Sequence, residues 1–335
     1  MTTARATTAP DAAPATRPGL GLVQVTTAAV LFGVNGSVSK VALDAGVEPR
    51  QLAALRCTGV AVGLLALVGP VAHRRLRVPV RHLPQLAVLG IVGAALIQWL
   101  YFVAIDRLPV GIAILVEFTG PVLVALWARL VLREVVRPQV WAALGLSLVG
   151  LALVAQVWRD TRLDALGLAG ATAAAACLAT FLLLGRHTGA QLDPLAVNVW
   201  MFVFAGLFWL AVEPLWRIDR TPLGRTTSLP GALDATSVPV WAVVLTVIVL
   251  GTLAPYALDL AALRHLPAAT VGAVGMLEPV VATAVAWAWL GQSLAPVQLL
   301  GGVVVLAGVG LAQAATYETG SVGGAGGAHE PDGRR

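Results

Sequence analysis

Residues 108–121, LPVGIAILVEFTGP, return at 266–279 as LPAATVGAVGMLEP, and the sequence downstream of each copy keeps the same register. Leu108, Pro109, Pro121, Val122, Leu132, Pro138 and Gly150 recur 158 positions later as Leu266, Pro267, Pro279, Val280, Leu290, Pro296 and Gly308. Both copies open an apolar stretch long enough to cross a bilayer, which takes about 20 residues per helix. A duplicated membrane segment with one carboxylate beside a helix-breaking proline in each copy constrains the chain to a helical bundle built from two halves. That is the organisation of many transporters.

Apolar residues make up 58% of the chain and charged residues 12%, with a mean hydropathy of +0.84. Soluble domains carry about 25% charged residues, so lipid solvates most of this surface. Ten apolar stretches qualify as spans, approximately Leu22–Leu43, Leu52–Ala72, Leu83–Ile105, Gly111–Leu132, Pro138–Val157, Leu166–Leu184, Pro194–Val212, Val238–Leu260, Ala268–Leu290 and Pro296–Ala315. They lack the period-2 alternation of barrel strands, so helices satisfy the backbone. The repeat joins the fourth span to the ninth and the fifth to the tenth. VLFGVNGSVSKVAL and ACLATFLLLGRHTG, which place Lys40 and Arg186 alike, link the first to the sixth more weakly. Five spans per half is an odd number, so the second half enters the membrane upside down.

The expected fold is an all-α membrane protein of ten transmembrane helices in two five-helix inverted repeats, 21–157 and 164–316. Disordered tails are expected at 1–20 and 317–335, which lack a periodic apolar face. Glu213–Ser237 reads as a loop rather than a domain.

The net charge of +5 does not indicate nucleic acid, because the basic residues are scattered over the loops between spans. They report orientation. With the N-terminus cytoplasmic, inner segments hold 13 Lys and Arg against 8 outside, Arg56 lying within a span. The cluster HRRLRVPVRH at 73–82 dominates that bias and places both termini in the cytoplasm of a multi-pass cytoplasmic-membrane protein. Cys57 and Cys177 fall inside spans as packed small residues.

LFGVNGSVSKVAL with LAALR in the first half, and APYALDLAALRHLPAATVGAVGMLEPVVATAVAWAWLGQSLAPVQLLGG in the second, resemble the EamA-type drug/metabolite transporter superfamily. LPVGIAILVEFTGPVLVALW is similar to the threonine/homoserine exporter branch of that superfamily. The resemblance implies a ten-helix inverted-repeat bundle whose central cavity moves small metabolites by alternating access. At Gly291-Gln292-Ser293 the chain departs from the Gly-Glu of many members, so no role for that acidic position carries over.

Several chemistries are missing from the sequence. Lys40 is the only lysine and no GxxxxGK[ST] occurs, which excludes a Walker-type ATPase. The five histidines lie in loops or the tail without HExxH spacing, and no GxSxG is present. No cofactor or metal is expected.

The remaining candidates are polar groups at membrane depth, where charge costs a few kcal/mol and seeks a partner or a wet cavity. Glu278 lies near the middle of the ninth span beside Pro279, which removes a backbone donor and leaves carbonyls near residue 275 for a ligand. It is read as the group that binds a substrate amine or a coupling proton, against the alternative of packing on a neighbouring polar group. Glu117, with Pro121 one turn on, and Arg56 at a similar depth suggest an ion pair, either a gate or a structural bridge. Asn35, Gln98, Tyr256 and Asn198 are uncharged polar groups within spans, each more often an interhelical hydrogen bond than a substrate contact. Gln98 and Tyr256 are repeat-related, and Pro255 suggests a bend in the eighth span. Asp259 and Lys40, near span ends, read as interface residues.

The function expected is a secondary active transporter exporting an amino acid or similar small metabolite. The alternative within transport is a drug or nucleotide-related metabolite carrier, and outside it a membrane enzyme or scaffold.

Overall fold

The computed structural model describes residues 17–105, 107–108, 110–158, 164–290 and 295–325. It is nearly all helix, and its described residues contain nine helical segments long and apolar enough to span a membrane. The protein is an all-α membrane protein. Helix α1 is Pro18–Asp44 and α2 is Pro49–Ala72. The third span joins α3 (Leu83–Gly90) and α4 (Ile97–Ile105) through a π-helical segment, Ile91–Leu96. The fourth is broken into α5 (Val110–Glu117) and α6 (Gly120–Leu130), and α7 is Pro138–Ala155.

The second half runs α8 (Ala165–Gln191), α9 (Pro194–Val212), α10 (Val240–Ile248), a π-helical segment Val249–Leu253, α11 (Ala254–Ala262), α12 (Ala268–Gly275), α13 (Glu278–Leu290) and α14 (Pro296–Ala325). The tenth expected span corresponds to α14, whose apolar part, Pro296–Ala312, is shorter than the other nine. The segment 213–239 carries a hairpin of β1 (Thr226–Ser228) and β2 (Ser237–Pro239) and two short 3-10 turns.

Local chemistry sets many of these boundaries. Proline opens α1, α2, α7 and α9, where its missing amide hydrogen costs nothing. The Asp164 and Asp193 carboxylates cap α8 and α9, accepting from the amides of Gly167 at 2.8 Å and Leu195 at 2.9 Å. Where loss of order was expected from 317, α14 stays helical to Ala325. Its continuation, AQAATYET, is rich in helix-favouring Ala, Gln and Glu. Residues 1–16 and 326–335, and the Gly291-Gln292-Ser293 departure, lie outside the described residues.

The backbone repeats with the sequence. The π segments start at 91 and 249, the breaks follow 117 and 275, the helices resume at 120 and 278, and α7 and α14 start at 138 and 296. The contacts repeat as well. Gly150 on α7 meets Gly301 and Val305 on α14, while its counterpart Gly308 on α14 meets Ala143 and Ser147 on α7, the positions equivalent to 301 and 305. A Cβ at Gly150 would sit 2.6 Å from the Val305 amide nitrogen, and one at Gly308 would strike the Ser147 hydroxyl. Small residues therefore let two helix backbones touch where lipid supplies no hydrophobic drive for association. The halves also interlock, since α1 packs on α10–α13 and α8 packs on α3–α6.

Candidate functional site

The interlocked helices enclose a cavity of about 540 Å³, and all six polar residues expected to carry the chemistry line it: Asn35, Arg56, Gln98, Glu117, Tyr256 and Glu278. Along α1 its lining runs from Ala29 to Leu43, about 21 Å at 1.5 Å per residue. The cavity therefore faces the end of the bundle where α1 terminates.

Two backbone breaks place the carboxylates. Pro121 offers no amide hydrogen to the Glu117 carbonyl, and Pro279 offers none to the Gly275 carbonyl, so each helix stops there and resumes two residues on. Glu117 is the last residue of α5 and Glu278 the first of α13, so the two carboxylates flank equivalent breaks from opposite sides. Both are half-buried. Among the described residues neither has a hydrogen-bond or ion-pair partner.

Arg56 differs from expectation. It forms no ion pair with Glu117; its Nε donates to the Thr252 hydroxyl at 2.8 Å and its Nη2 to the Gly251 carbonyl at 3.2 Å. The reason lies in the second π segment. Pro255 cannot donate to the Gly251 carbonyl, and the guanidinium supplies the missing hydrogen. Thr252 in turn donates to the Val247 carbonyl at 2.7 Å. Pro255 therefore acts one step behind the cavity, through Gly251, and the bend expected there is a π segment ending two residues before it.

Tyr256 sits in an aromatic box. Phe32, Phe181 and Phe202 each present an edge contact to its ring, with centroids 5.3–5.4 Å away. Its hydroxyl donates to the Gly93 carbonyl at 3.4 Å, in the π segment of the first half. Gln98 donates to the Ala94 carbonyl at 3.0 Å, and its buried Oε1 has no partner among the described residues. Asn35 accepts from Ser39 at 3.3 Å, and a Cβ at Gly251 would collide with its amide oxygen.

Sequence reasoning missed three ionisable lining residues. Lys40 and Asp259, expected at the membrane interface, line the cavity, and so does Tyr101. The repeat held the signal, because Tyr101 plus 158 is Asp259, just as Gln98 plus 158 is Tyr256. Asn198 is elsewhere, at the opposite end of the bundle. The cavity thus offers unpaired carboxylates for an ammonium group, and the remaining donors of Arg56 with Lys40 for an acid group.

At the end away from α1's terminus, two contacts join the segment after α2 to the start of α9. Arg75 bridges Asp193 at 2.8 Å, and Trp200 Nε1 donates to the Leu76 carbonyl at 2.9 Å. Burial pushes the Asp193 carboxyl up, but hydrogen bonds from Arg75 and the Leu195 amide, with the charges of Arg75 and Arg264, outweigh it and hold it below the usual range. Nearby, the His265 imidazole accepts from the Arg17 amide at 3.4 Å. Burial, then the charges of Arg264 and Arg17, lower its pKa below the ordinary histidine value.

Residues 19–156 and 165–313 each match the EamA-like transporter family. The chain is 31% identical over 258 residues to the threonine/homoserine exporter RhtA of Escherichia coli (strain K12), covering 75% of this chain and 78% of that one. RhtA of Salmonella typhimurium (strain LT2) is 30% identical over 254 residues, covering 74% and 77%. The uncharacterized transporter YwfM of Bacillus subtilis (strain 168) is 25% identical over 287 residues, covering 84% and 90%. A protein of known crystal structure shares the fold, with a TM-score of 0.70 at 16% identity over 90% of this chain and 99% of that one.

Proposed function

The chain belongs to the EamA-like transporter family, and from that premise we propose that it is a secondary active exporter of threonine-like amino acids. It is a transporter rather than an enzyme, and its substrate is a small molecule. The observation that carries the amino acid reading is the convergence of Glu278, Glu117 and Arg56 on one cavity at two broken helices. A zwitterion needs both signs of charge within one site. Glu278 takes the ammonium group or a coupling proton, while spare Arg56 donors and Lys40 take the carboxylate.

On this reading the protein is a ten-helix bundle of two inverted five-helix repeats in the cytoplasmic membrane, with both termini cytoplasmic. The cavity then faces outward, and the Arg75–Asp193 bridge closes the cytoplasmic side. Alternating access consists of breaking that bridge while the outer ends of α1 and α4 close over Asn35 and Tyr101. The interlocking of α1 and α8 with the opposite halves supports such motion, because each half carries a helix of the other as it rocks.

A specific observation also favours a second reading, a larger amphipathic metabolite. The cavity is lined by Phe32, Tyr101, Phe118, Phe181 and Tyr256, and its size falls in the range of about 300–1,000 Å³ that takes drug-sized ligands. Proteoliposomes carrying the full chain decide between the two. Saturable, proton-gradient-dependent movement of radiolabelled threonine, abolished in Glu278→Gln with monodispersity retained, is the expected result. Threonine movement unaffected by Glu278→Gln would refute the assigned role, and transport of aromatic cations without threonine would select the second reading.

A further inference from the structure

Beyond the central cavity, the end of the bundle away from α1's terminus holds a cleft of about 390 Å³ whose lining includes Arg75, Asp193, Asn198 and Arg264. Asn198 lies one turn inside α9 and is 2% exposed. Neither its Oδ1 nor its Nδ2 has a hydrogen-bond partner among the described residues. An amide buried with a donor and an acceptor both unpaired loses the hydrogen bonds that water would give it. That loss is offset only when something polar enters the cleft. The expected interhelical hydrogen bond is not formed.

The surrounding charges match that amide. Arg264 is exposed, its guanidinium has no hydrogen-bond or ion-pair partner among the described residues, and its positive charge reaches Asp193. Asp193 accepts from Arg75 and from the Leu195 amide, which leaves further lone-pair directions on its oxygens. The cleft lining therefore combines a cation, an anion and a donor–acceptor amide. Apolar Leu64, Leu253 and Ala257 also line it.

We propose that this cleft is a second binding site for a free α-amino acid, used at the cytoplasmic face before the substrate reaches the central cavity. The carboxylate pairs with Arg264 and the Asn198 Nδ2, and the ammonium group with Asp193 and the Asn198 Oδ1. The step onward is short. Phe202 lies four residues beyond Asn198 on α9 and packs edge-on against Tyr256, while Ala257 in the cleft adjoins Tyr256 in the central cavity. The Phe202–Tyr256 contact thus links the helix that carries Asn198 to a residue lining the central cavity. An ammonium group at Asp193 also competes with Arg75 for that carboxylate, so loading the cleft weakens the bridge that closes this end.

The assignment rests on the amino acid reading above, and its test separates the two. Transport of radiolabelled threonine is measured in inside-out vesicles, which present the cytoplasmic face, and in right-side-out vesicles, which present the other. Arg264→Gln and Asn198→Leu should each raise KM at the cytoplasmic face about ten-fold, as expected for losing a charged hydrogen bond. KM at the outer face should stay within about two-fold. A cytoplasmic-face KM within about two-fold of wild type for Arg264→Gln, whose side chain is exposed and whose folding is not at risk, would overturn the site. If wild-type vesicles move no threonine, the functional reading fails. Equilibrium binding of threonine to the purified Glu278→Gln chain then decides the cleft, since saturable binding lost on adding Arg264→Gln supports it and absence of binding refutes it.

Discussion

Thr252→Val is the sharpest probe of what holds Arg56 inside the membrane. The substitution keeps the shape and removes the hydroxyl that accepts from Arg56 Nε at 2.8 Å and donates to the Val247 carbonyl at 2.7 Å. A hydrogen bond to a charged group contributes about 1.5–3 kcal/mol and a neutral one about 0.5–1.5, so the loss should be about 2–4 kcal/mol. Had Arg56 paired with Glu117 instead, two charges 4 Å apart at an effective dielectric near 20 would attract by about 4 kcal/mol. Glu117→Gln would then be the costly change. The geometry predicts the reverse, with Glu117→Gln changing stability by under about 0.5 kcal/mol. Unfolding in mixed micelles of rising SDS fraction, followed by tryptophan fluorescence, measures both variants and their cycles with Arg56→Met. Coupling of at least about 1.5 kcal/mol should connect Arg56 with Thr252, and less than about 0.5 should connect Arg56 with Glu117. If the large coupling belongs to Glu117, the role given to the second π segment is wrong.

The glycine contacts between α7 and α14 predict a matched pair of defects. Gly150→Leu and Gly308→Leu should each destabilise by about 3 kcal/mol or more, whereas Gly145→Leu, facing open space, should be close to neutral in the same unfolding assay. The pH dependence follows from His265. Its folded pKa lies below its unfolded value, so its contribution is complete above the unfolded value of about 6.5 and is lost as pH falls through the folded one. Thermal midpoints should therefore be flat from pH 8 to about 7 and decline below about 6.5, with a shallower decline in His265→Gln; parallel profiles would refute this. Because Asp193 is likewise depressed, its bridge to Arg75 persists throughout that range and breaks only in stronger acid.

The repeat was legible because it is written in residues whose effects are local. Pro121 and Pro279 stop a helix wherever they stand, so the two breaks and the carboxylates beside them could be placed without coordinates. The π segments could not. The second precedes Pro255, but the first has Ile97 at that position, so proline does not explain both. What they share is a glycine packed against another helix, Gly93 against Phe181 and Gly251 against Asn35, and that contact exists only in the assembled bundle. The partner of Arg56 was hidden for a related reason: Pro255 frees the Gly251 carbonyl locally, but only the packing of α2 on the second π segment brings the guanidinium to it. Asn198 was visible as a polar residue in a span, but its lack of a partner among the described residues depends on the elements packed around α9. Lys40 and Asp259 were read from their distance to span ends. The broken fourth and ninth spans bring the cavity out to that depth.

On the inverted reading, the doubled backbone and the unequal side chains divide the work of transport. Equivalent breaks, equivalent π segments and a reciprocal glycine contact give the inward and outward arrangements similar packing, so neither is favoured by backbone energy alone. The polar groups remove that balance. Gln98 stands opposite Tyr256, Tyr101 opposite Asp259, Glu117 opposite Gly275, and Gly120 opposite Glu278. A ligand shifts a two-state equilibrium only by the difference in its affinity for the two states. Any bias must therefore come from these unequal pairs. Glu278→Gln then removes a differential contact as well as a binding contact. It should alter which face of the cavity is accessible in the absence of substrate, and cysteine labelling at Asn35 measures that accessibility. Unchanged labelling alongside lost transport would confine Glu278 to substrate binding and assign the bias to the other pairs.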